Sequence, residues 1–373
     1  MKLLVILNDL DIGGAQNYTI SLMNQFVVLG HNIQLRVLSA NTPLLSRLSD
    51  KVNTIIWERK NKFDLSVAKK IRQEIRENKY DAIIASYILF HKISTAGLKN
   101  LPPTIYPIHT TKTLDRKSYL FNYILFRLKN KNEIFLTSID NQTQQLATDY
   151  GVSKTFFKQI YNGVDTNRFI LPPANFNKSS LLEKFRIDSS FSVILMVAGY
   201  REEKRHIDAL KAFQLLKKGM PDVALICAGD KREGIKNELQ QYITDHKISN
   251  VKLLSAAEVG DVLNFYWCAD VFTLTSDKVE TFSIASLEAM ACGVPCVLTD
   301  VGGAKDYIFP NKNGDICQPQ NIESIKEKWA YVLKNKQLFN PNEIRSHVVN
   351  QYSIEASAKN YLKIIKDNAD KRS

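Results

Sequence analysis

Apolar positions along this chain follow two periods that take turns. Short apolar runs at residues 3–7, 81–85, 104–108, 133–137, 192–198, 223–228, 251–254 and 271–275 are rich in strand formers. Uninterrupted runs of that kind predict strands buried on both faces. Residues 31–38 alternate instead, as a strand with two unlike faces does. Between them lie helical patterns: one ending near Leu29 and closed by Gly30, 64–78, 140–150 closed by Gly151, 204–217, 233–246 and 259–268. In 64–78, Leu65, Ala68, Ile71 and Ile75 share the face expected to be buried. The tail from Ile322 is mostly helical, and its last helix carries Ala358, Tyr361, Leu362 and Ile365 at helical spacing. Strands alternating with helices predict parallel sheets with helices on both faces, an α/β fold. The periodicity lapses at 171–180, Leu-Pro-Pro-Ala-Asn-Phe-Asn-Lys-Ser-Ser. That lapse predicts a linker over 171–190, a first domain over 1–170 and a second over 191–352. The helix in 353–373 is expected to pack back on the first.

Length agrees, since 373 residues exceed what one core comfortably holds. Hydrophobic and charged contents of 45% and 24% are those of an ordinary globular chain. The opening Met-Lys-Leu-Leu-Val-Ile-Leu-Asn-Asp reads as a first buried strand and lacks the small-residue cleavage site of a signal peptide. No run nears the roughly 18 apolar residues of a spanning helix, so the expected location is cytoplasmic. The five cysteines have no framework or metal-ligand spacing, which predicts reduced core thiols and no zinc. The net charge of +12 implies an anionic partner or a solvated surface. Residues 115–132 carry Tyr119, Phe121, Tyr123 and Phe126 edged by Arg116, Lys117, Arg127, Lys129 and Lys131. Apolar residues cover much of that helix's circumference, which favours burial over an interfacial helix on an anionic membrane. A nucleic-acid partner would rest on charge alone and is not expected.

The chemistry concentrates in 275–303. Glu280 and Glu288 stand there with seven residues between them, after a strand and around a helix start near Thr281 to Ser283. Helix-start N–H groups lack intrahelical partners and, with the helix dipole, form an anion site suited to a diphosphate. Carboxylates beside such a site find natural donors in sugar or ribose hydroxyls. As plain structure, the two glutamates would be a helix-start carboxylate and a solvated surface residue. At the other end of the chain Gly13 and Gly14 occupy the first strand-to-helix turn, where a backbone can approach a phosphate closely. His109 follows the strand at 104–108, at a carboxyl end where α/β sites form.

Taken together and in order, several motifs resemble the GT-B glycosyltransferases, and within them the retaining glycosyltransferase family 4, also described as glycosyl transferases group 1. They are Gly13-Gly14-Ala15-Gln16, Asn162-Gly163-Val164-Asp165 followed by Phe169, and Ala228-Gly229-Asp230. The glutamate pair with Ala289-Met290-Ala291-Cys292-Gly293-Val294-Pro295, then Gly302-Gly303-Ala304 and Asn313-Gly314, complete the set. The resemblance spans nearly the whole chain and implies two Rossmann-like doubly wound domains facing a central cleft.

It further implies a UDP- or GDP-sugar donor, a glycan or lipid-linked acceptor, and no metal or other cofactor. Glu288 would bind the ribose and Glu280 the donor sugar. The backbone near Thr281, Phe282 and Ser283, with Gly13 and Gly14, would hold the diphosphate, and His109 would lie near the reacting carbon. The family's basic pair on the diphosphate is an arginine and, five residues on, a lysine. Here Lys204 matches the lysine but Gly199 stands at the arginine, leaving Arg201 or Arg205 to supply the charge. That departure keeps open a second reading, an inactive nucleotide-sugar-binding subunit. Epimerase and phosphorylase motifs are absent. Surface-polysaccharide synthesis at the inner face of the plasma membrane is the expected setting.

Overall fold

A computed structural model describes residues 1–11, 13–61, 64–108, 123–124, 126, 132–229, 233–278 and 280–369. They divide into two compact units, Met1–Gly163 with Ile354–Ser373, and Val164–Ser353. The division falls at Gly163, and residues 171–190 are part of the second unit instead of a linker. A helix at Lys178–Lys184, capped by the Asn177 side chain on the Ser180 N–H, buries Leu182 there.

In the first unit, β1 (Lys2–Leu7), β2 (Asn32–Val37), β3 (Asn53–Ile56), β4 (Ala82–Ala85), β5 (Thr104–Pro107), β6 (Glu133–Thr137) and β7 (Phe157–Gln159) form one sheet. Its order is β3-β2-β1-β4-β5-β6-β7, and every pairing is parallel. The second sheet contains β8 (Ser192–Val197), β9 (Val223–Gly229), β10 (Val251–Ser255), β11 (Val271–Leu274), β12 (Cys296–Thr299) and β13 (Gly314–Cys317). Its order is β10-β9-β8-β11-β12-β13, again all parallel. Each sheet is the doubly wound α/β arrangement expected, because its central strands are apolar on both faces and need helices on both. In each, the strand order reverses beside the first strand: between β1 and β4, and between β8 and β11.

Helix boundaries follow local chemistry. Asp64 caps the helix Leu65–Glu77 through the Ser66 N–H, and Gly151 ends Asp140–Tyr150 in the left-handed conformation. In Leu65–Glu77 the buried face is Val67, Ala68 and Ile71, while Leu65, expected to be buried, is exposed in the first turn. The pattern at 204–217 splits into a short 3-10 turn, Glu202–Lys204, and the helix His206–Lys217. Arg205 between them adopts φ +52°. The pattern at 259–268 likewise splits at Gly260, φ +60°, leaving Leu263–Cys268 as the helix. The C-terminal helix, Ile354–Ala369, lies against Gly14–Val28 within the first unit. There the Tyr18 and Ser357 hydroxyls are 2.6 Å apart and the Phe26 and Tyr361 rings 6.2 Å apart.

All five cysteines are free and buried, and burial pushes the Cys227 and Cys317 thiols up to about 12, so they are core groups and not nucleophiles. Among the described residues no helix is long and apolar enough to cross a membrane. Residues 115–122 and most of 123–131 lie outside the described set. The basic excess is confined to one unit. The first holds 27 Lys and Arg against 15 Asp and Glu, and the second 23 against 23.

Candidate functional site

The site in the second unit is assembled where its strand order reverses. β8 and β11 pair there through Val271 with Ile194 and Phe272 with Leu195. Parallel sheets collect ligands at the carboxyl ends beside such a reversal. The segment leaving β8 carries Arg201, Lys204 and Arg205, and the segment leaving β11 carries Glu280.

Lys204 is buried, and its Nζ donates to Glu280 Oε2 at 2.6 Å. An ammonium has three N–H groups, so this contact leaves donors for a second anion. The segment that carries the lysine is held at several points. The Thr275 hydroxyl, at the end of β11, lies 3.0 Å from the carbonyls of both Lys204 and Arg205. The buried Tyr200 hydroxyl lies 2.9 Å from the carbonyls of Cys227 and Leu254. Gly229 allows the β8 exit to pass closely: a Cβ there would sit 2.1 Å from the Ala198 carbonyl oxygen. That is the physical content of the Ala228-Gly229 motif, whose Asp230 lies outside the described residues.

The two arginines differ. Arg205 makes a double contact with Asp208, Nε to Oδ2 and Nη2 to Oδ1 at 2.9 Å each. Arg201 is half-exposed, with Nη1 3.5 Å from Glu203 Oε1. A guanidinium fixed in a fork by a buried carboxylate has little left for a ligand, which makes Arg201 the available cation of the two.

Glu280 is set by glycine. Gly302 has φ +63° and packs so tightly that a Cβ would lie 1.8 Å from the Glu280 carbonyl oxygen. The next amide, Gly303 N–H, donates to Thr281 O at 2.8 Å. The Gly302-Gly303 pair therefore clamps the backbone of 280–281 against the loop after β12.

The helix after Glu280 is Ile284–Ala291. Its first intrahelical bond runs from Leu287 N–H to Ser283 O at 3.4 Å, so the amides of Ile284 and Ala285 have no intrahelical acceptor. The Ser283 hydroxyl caps the Ser286 N–H at 3.2 Å, which makes it a helix cap and not a ligand side chain. The Phe282 ring is buried, 4.7 Å from Tyr307 and 5.4 Å from Tyr352. Only its backbone can serve a ligand.

Glu288 follows the helix start by about one turn and is half-buried. Its Oε2 accepts a 2.6 Å hydrogen bond from Tyr266 OH. Tyr266 is fully buried, and burial, followed by the charge of Glu288, raises its pKa well above the ordinary phenol value. It therefore stays a donor. Phe169 packs edge-on against it at 5.8 Å. Arg345 fixes that phenylalanine: Nη1 donates to Phe169 O at 2.5 Å and Ala291 O at 2.7 Å, and Nη2 to Thr166 O at 2.8 Å. The Phe169 that ends the 162–169 motif thus packs against the tyrosine that donates to Glu288. Sequence reading missed Tyr266, since within a helical pattern a buried tyrosine looks like any core residue; a buried hydroxyl's need for a partner was the available signal.

The remaining expected residues are in the first unit. Gly13 is the residue before, and Gly14 the first residue of, the helix Gly14–Val28 that follows β1, and a Cβ on Gly13 would meet Gln16 Oε1 at 2.7 Å. His109 lies outside the described residues. The structure thus brings together Lys204, Glu280, Thr281, Phe282, Ser283 and Glu288, with Arg201 on the same loop as Lys204. Among the described residues no cluster of His, Cys, Asp and Glu is arranged to hold a metal.

The chain is similar in sequence and fold to known proteins. The family description "Glycosyl transferases group 1" matches residues 177–355, and "Glycosyltransferase Family 4" matches 12–168. Over 315 residues the chain is 25% identical to N-acetyl-alpha-D-glucosaminyl L-malate synthase of Bacillus anthracis, covering 82% of this chain and 79% of that one. A glycosyltransferase from Rickettsia africae superposes with a TM-score of 0.84 at 20% identity, over 98% of both chains. HepE of Anabaena, in complex with UDP-glucose, gives 0.83 at 18% identity, over 98% of this chain and 100% of that one. The fold is therefore GT-B.

Proposed function

Because the chain belongs to the GT-B glycosyltransferases of group 1 and family 4, we propose that it is a retaining enzyme that moves a hexose from a nucleoside-diphosphate sugar to a glycan or lipid-linked acceptor. The observation that carries this reading is the Lys204–Glu280 pair at 2.6 Å, beside the start of Ile284–Ala291 with Glu288 one turn further on. One carboxylate for sugar hydroxyls, one for ribose hydroxyls and a cation with open N–H groups match the three parts of a nucleotide sugar. The UDP-glucose bound in the Anabaena structure supports a UDP-sugar as the donor.

The chemistry follows from charge. Breaking the bond between the anomeric carbon and the phosphate oxygen leaves negative charge on the nucleoside diphosphate. Lys204, Arg201 and the helix-start amides stabilise it electrostatically, in the role a metal ion would otherwise fill. Retention follows from attack on the face the leaving group departs, with the acceptor proton passing to the leaving phosphate. His109 is assigned to the neighbourhood of the reacting carbon, and Gly13 and Gly14 to the diphosphate. The basic excess of the first unit supports association with an anionic surface at the inner face of the plasma membrane, in surface-polysaccharide synthesis. Vesicle binding that fails to weaken with salt would count against that part.

Gly199 in place of the family's arginine favours one other reading, an inactive donor-binding subunit. Release of nucleoside diphosphate from a panel of UDP- and GDP-sugars separates the two, since an inactive subunit binds donor and releases none. In the same assay Glu280→Ala and Glu288→Ala each lower turnover at least about a hundredfold while the chain stays folded. The melting temperature falls, because the buried Lys204 ammonium and Tyr266 hydroxyl are left without their carboxylates. Unaltered turnover in both variants removes the site assignment.

A further inference from the structure

We propose that Tyr266 is a positioning residue that sets the enzyme's selectivity for ribonucleotides: its hydroxyl fixes the Glu288 carboxylate so that Glu288 receives the two ribose hydroxyls of the donor. This rests on the reading of Glu288 as the ribose clamp and goes beyond it. Tyr266 is fully buried. It acts through the 2.6 Å hydrogen bond to Glu288 Oε2.

The geometry supports a positioning role over simple core packing. A glutamate on a helix has three rotatable side-chain bonds, and a half-buried one keeps much of that freedom unless a partner removes it. A phenol donating to a carboxylate is a short, strong and directional contact. Tyr266 is itself enclosed. Phe169 packs on one edge of its ring and Phe272 lies 6.0 Å away. The segment carrying Phe169 is tied by Arg345 and by Trp267, whose Nε1 donates to Ile170 O at 2.7 Å. A vicinal diol needs a carboxylate in one orientation, with an oxygen toward each hydroxyl. Tyr266 supplies that orientation before the donor arrives, and preorganisation of this kind improves binding by reducing the ordering cost.

The test compares UDP or GDP, whichever binds the full-length protein, with its 2′,3′-dideoxy analogue by calorimetry. The wild type prefers the ribonucleotide. Tyr266→Phe keeps the ring and lowers affinity for the ribonucleotide about tenfold, leaves the dideoxy analogue unaffected, and raises donor KM with kcat unchanged. In a Glu288→Ala background the same change has no further effect on the ratio. Phe169→Leu, which loosens the ring from behind, shifts the ratio in the same direction and serves if Tyr266→Phe does not fold. If Glu288→Ala leaves the ratio at its wild-type value, the ribose-clamp reading itself falls. If Glu288→Ala abolishes the preference while Tyr266→Phe, or Phe169→Leu in its place, retains it, the clamp stands and the role given to Tyr266 is overturned.

Discussion

Gly302→Ala is the sharpest probe of how the site is held. The added Cβ would lie 1.8 Å from the Glu280 carbonyl oxygen, 2.7 Å from its carbon and 2.9 Å from Thr281 O. Cβ contacts under 3.0 Å essentially do not occur, so the 280–281 backbone must retreat by about 1.2 Å. The left-handed φ of +63° adds a cost of its own, about 1–2 kcal/mol for a residue with a Cβ. Strain and displacement together should destabilise the second unit by about 3 kcal/mol, or roughly 6–12 °C in Tm. A carboxylate moved by about 1 Å should lower turnover about a hundredfold. Gly260 serves as a comparison without the clash, for it has φ +60°, ψ −113° and no neighbour within 4 Å of its would-be Cβ. Gly260→Ala should therefore show only the smaller Tm loss and full turnover. Thermal melts and nucleoside-diphosphate release on both variants decide the matter. If Gly302→Ala matches Gly260→Ala in both, the close approach does not position Glu280 and the account of the loop is wrong.

The two arginines should separate cleanly. Arg201→Ala should raise donor KM and lower kcat, together about tenfold in kcat/KM, the value of a charge-assisted contact. Arg205→Ala should leave KM nearly unchanged but cost about 3 kcal/mol, because Asp208 is left buried without its partner; equal KM effects would refute the distinction. Acid stability offers another check. His206 is buried, and burial lowers its pKa to about 4 from the ordinary 6.5. Below pH 6.5 the unfolded chain binds a proton that the folded chain refuses. Stability is then complete above 6.5 and declines as pH falls toward 4, by about 2 kcal/mol at pH 5. Denaturant titrations at pH 8 and 5 should show this loss, and His206→Phe, which keeps a ring against Tyr200, should flatten it; an unchanged slope would rule out His206 as the cause.

Much of this architecture was legible because parallel strands buried on both faces are written as continuous apolar runs. β1, β6, β8 and β9 could hardly be anything else. β3, Asn-Thr-Ile-Ile, was not, since it is an edge strand with Ile55 and Ile56 exposed. β13, Gly-Asp-Ile-Cys, is too short and mixed to stand out. The break at Arg205 was invisible because the hydroxyl that bonds its carbonyl is that of Thr275, 70 residues away. The same distinction runs through the site. Lys204, Glu280 and Glu288 declared themselves by charge at the right places along the chain. Tyr266, Thr275 and Arg345 act through contacts to residues distant in sequence, and no local pattern marks them.

The course of the chain has a consequence for how the protein is made. The first unit is discontinuous: its sheet is complete by Gln159, but the helix Ile354–Ala369 that covers Tyr18 and Phe26 is the last element of the described chain. The second unit is one unbroken insertion, closed where Val164 N–H meets Tyr352 O at 2.9 Å and Val164 bridges Ser353. On a ribosome, the unit begun first is therefore the last to be finished. The early part must wait with an apolar helix face uncovered while some 190 residues emerge and fold ahead of it. Deletion of residues 354–373 should injure the unit that contains Met1–Gly163 and spare the one nearer to them in sequence.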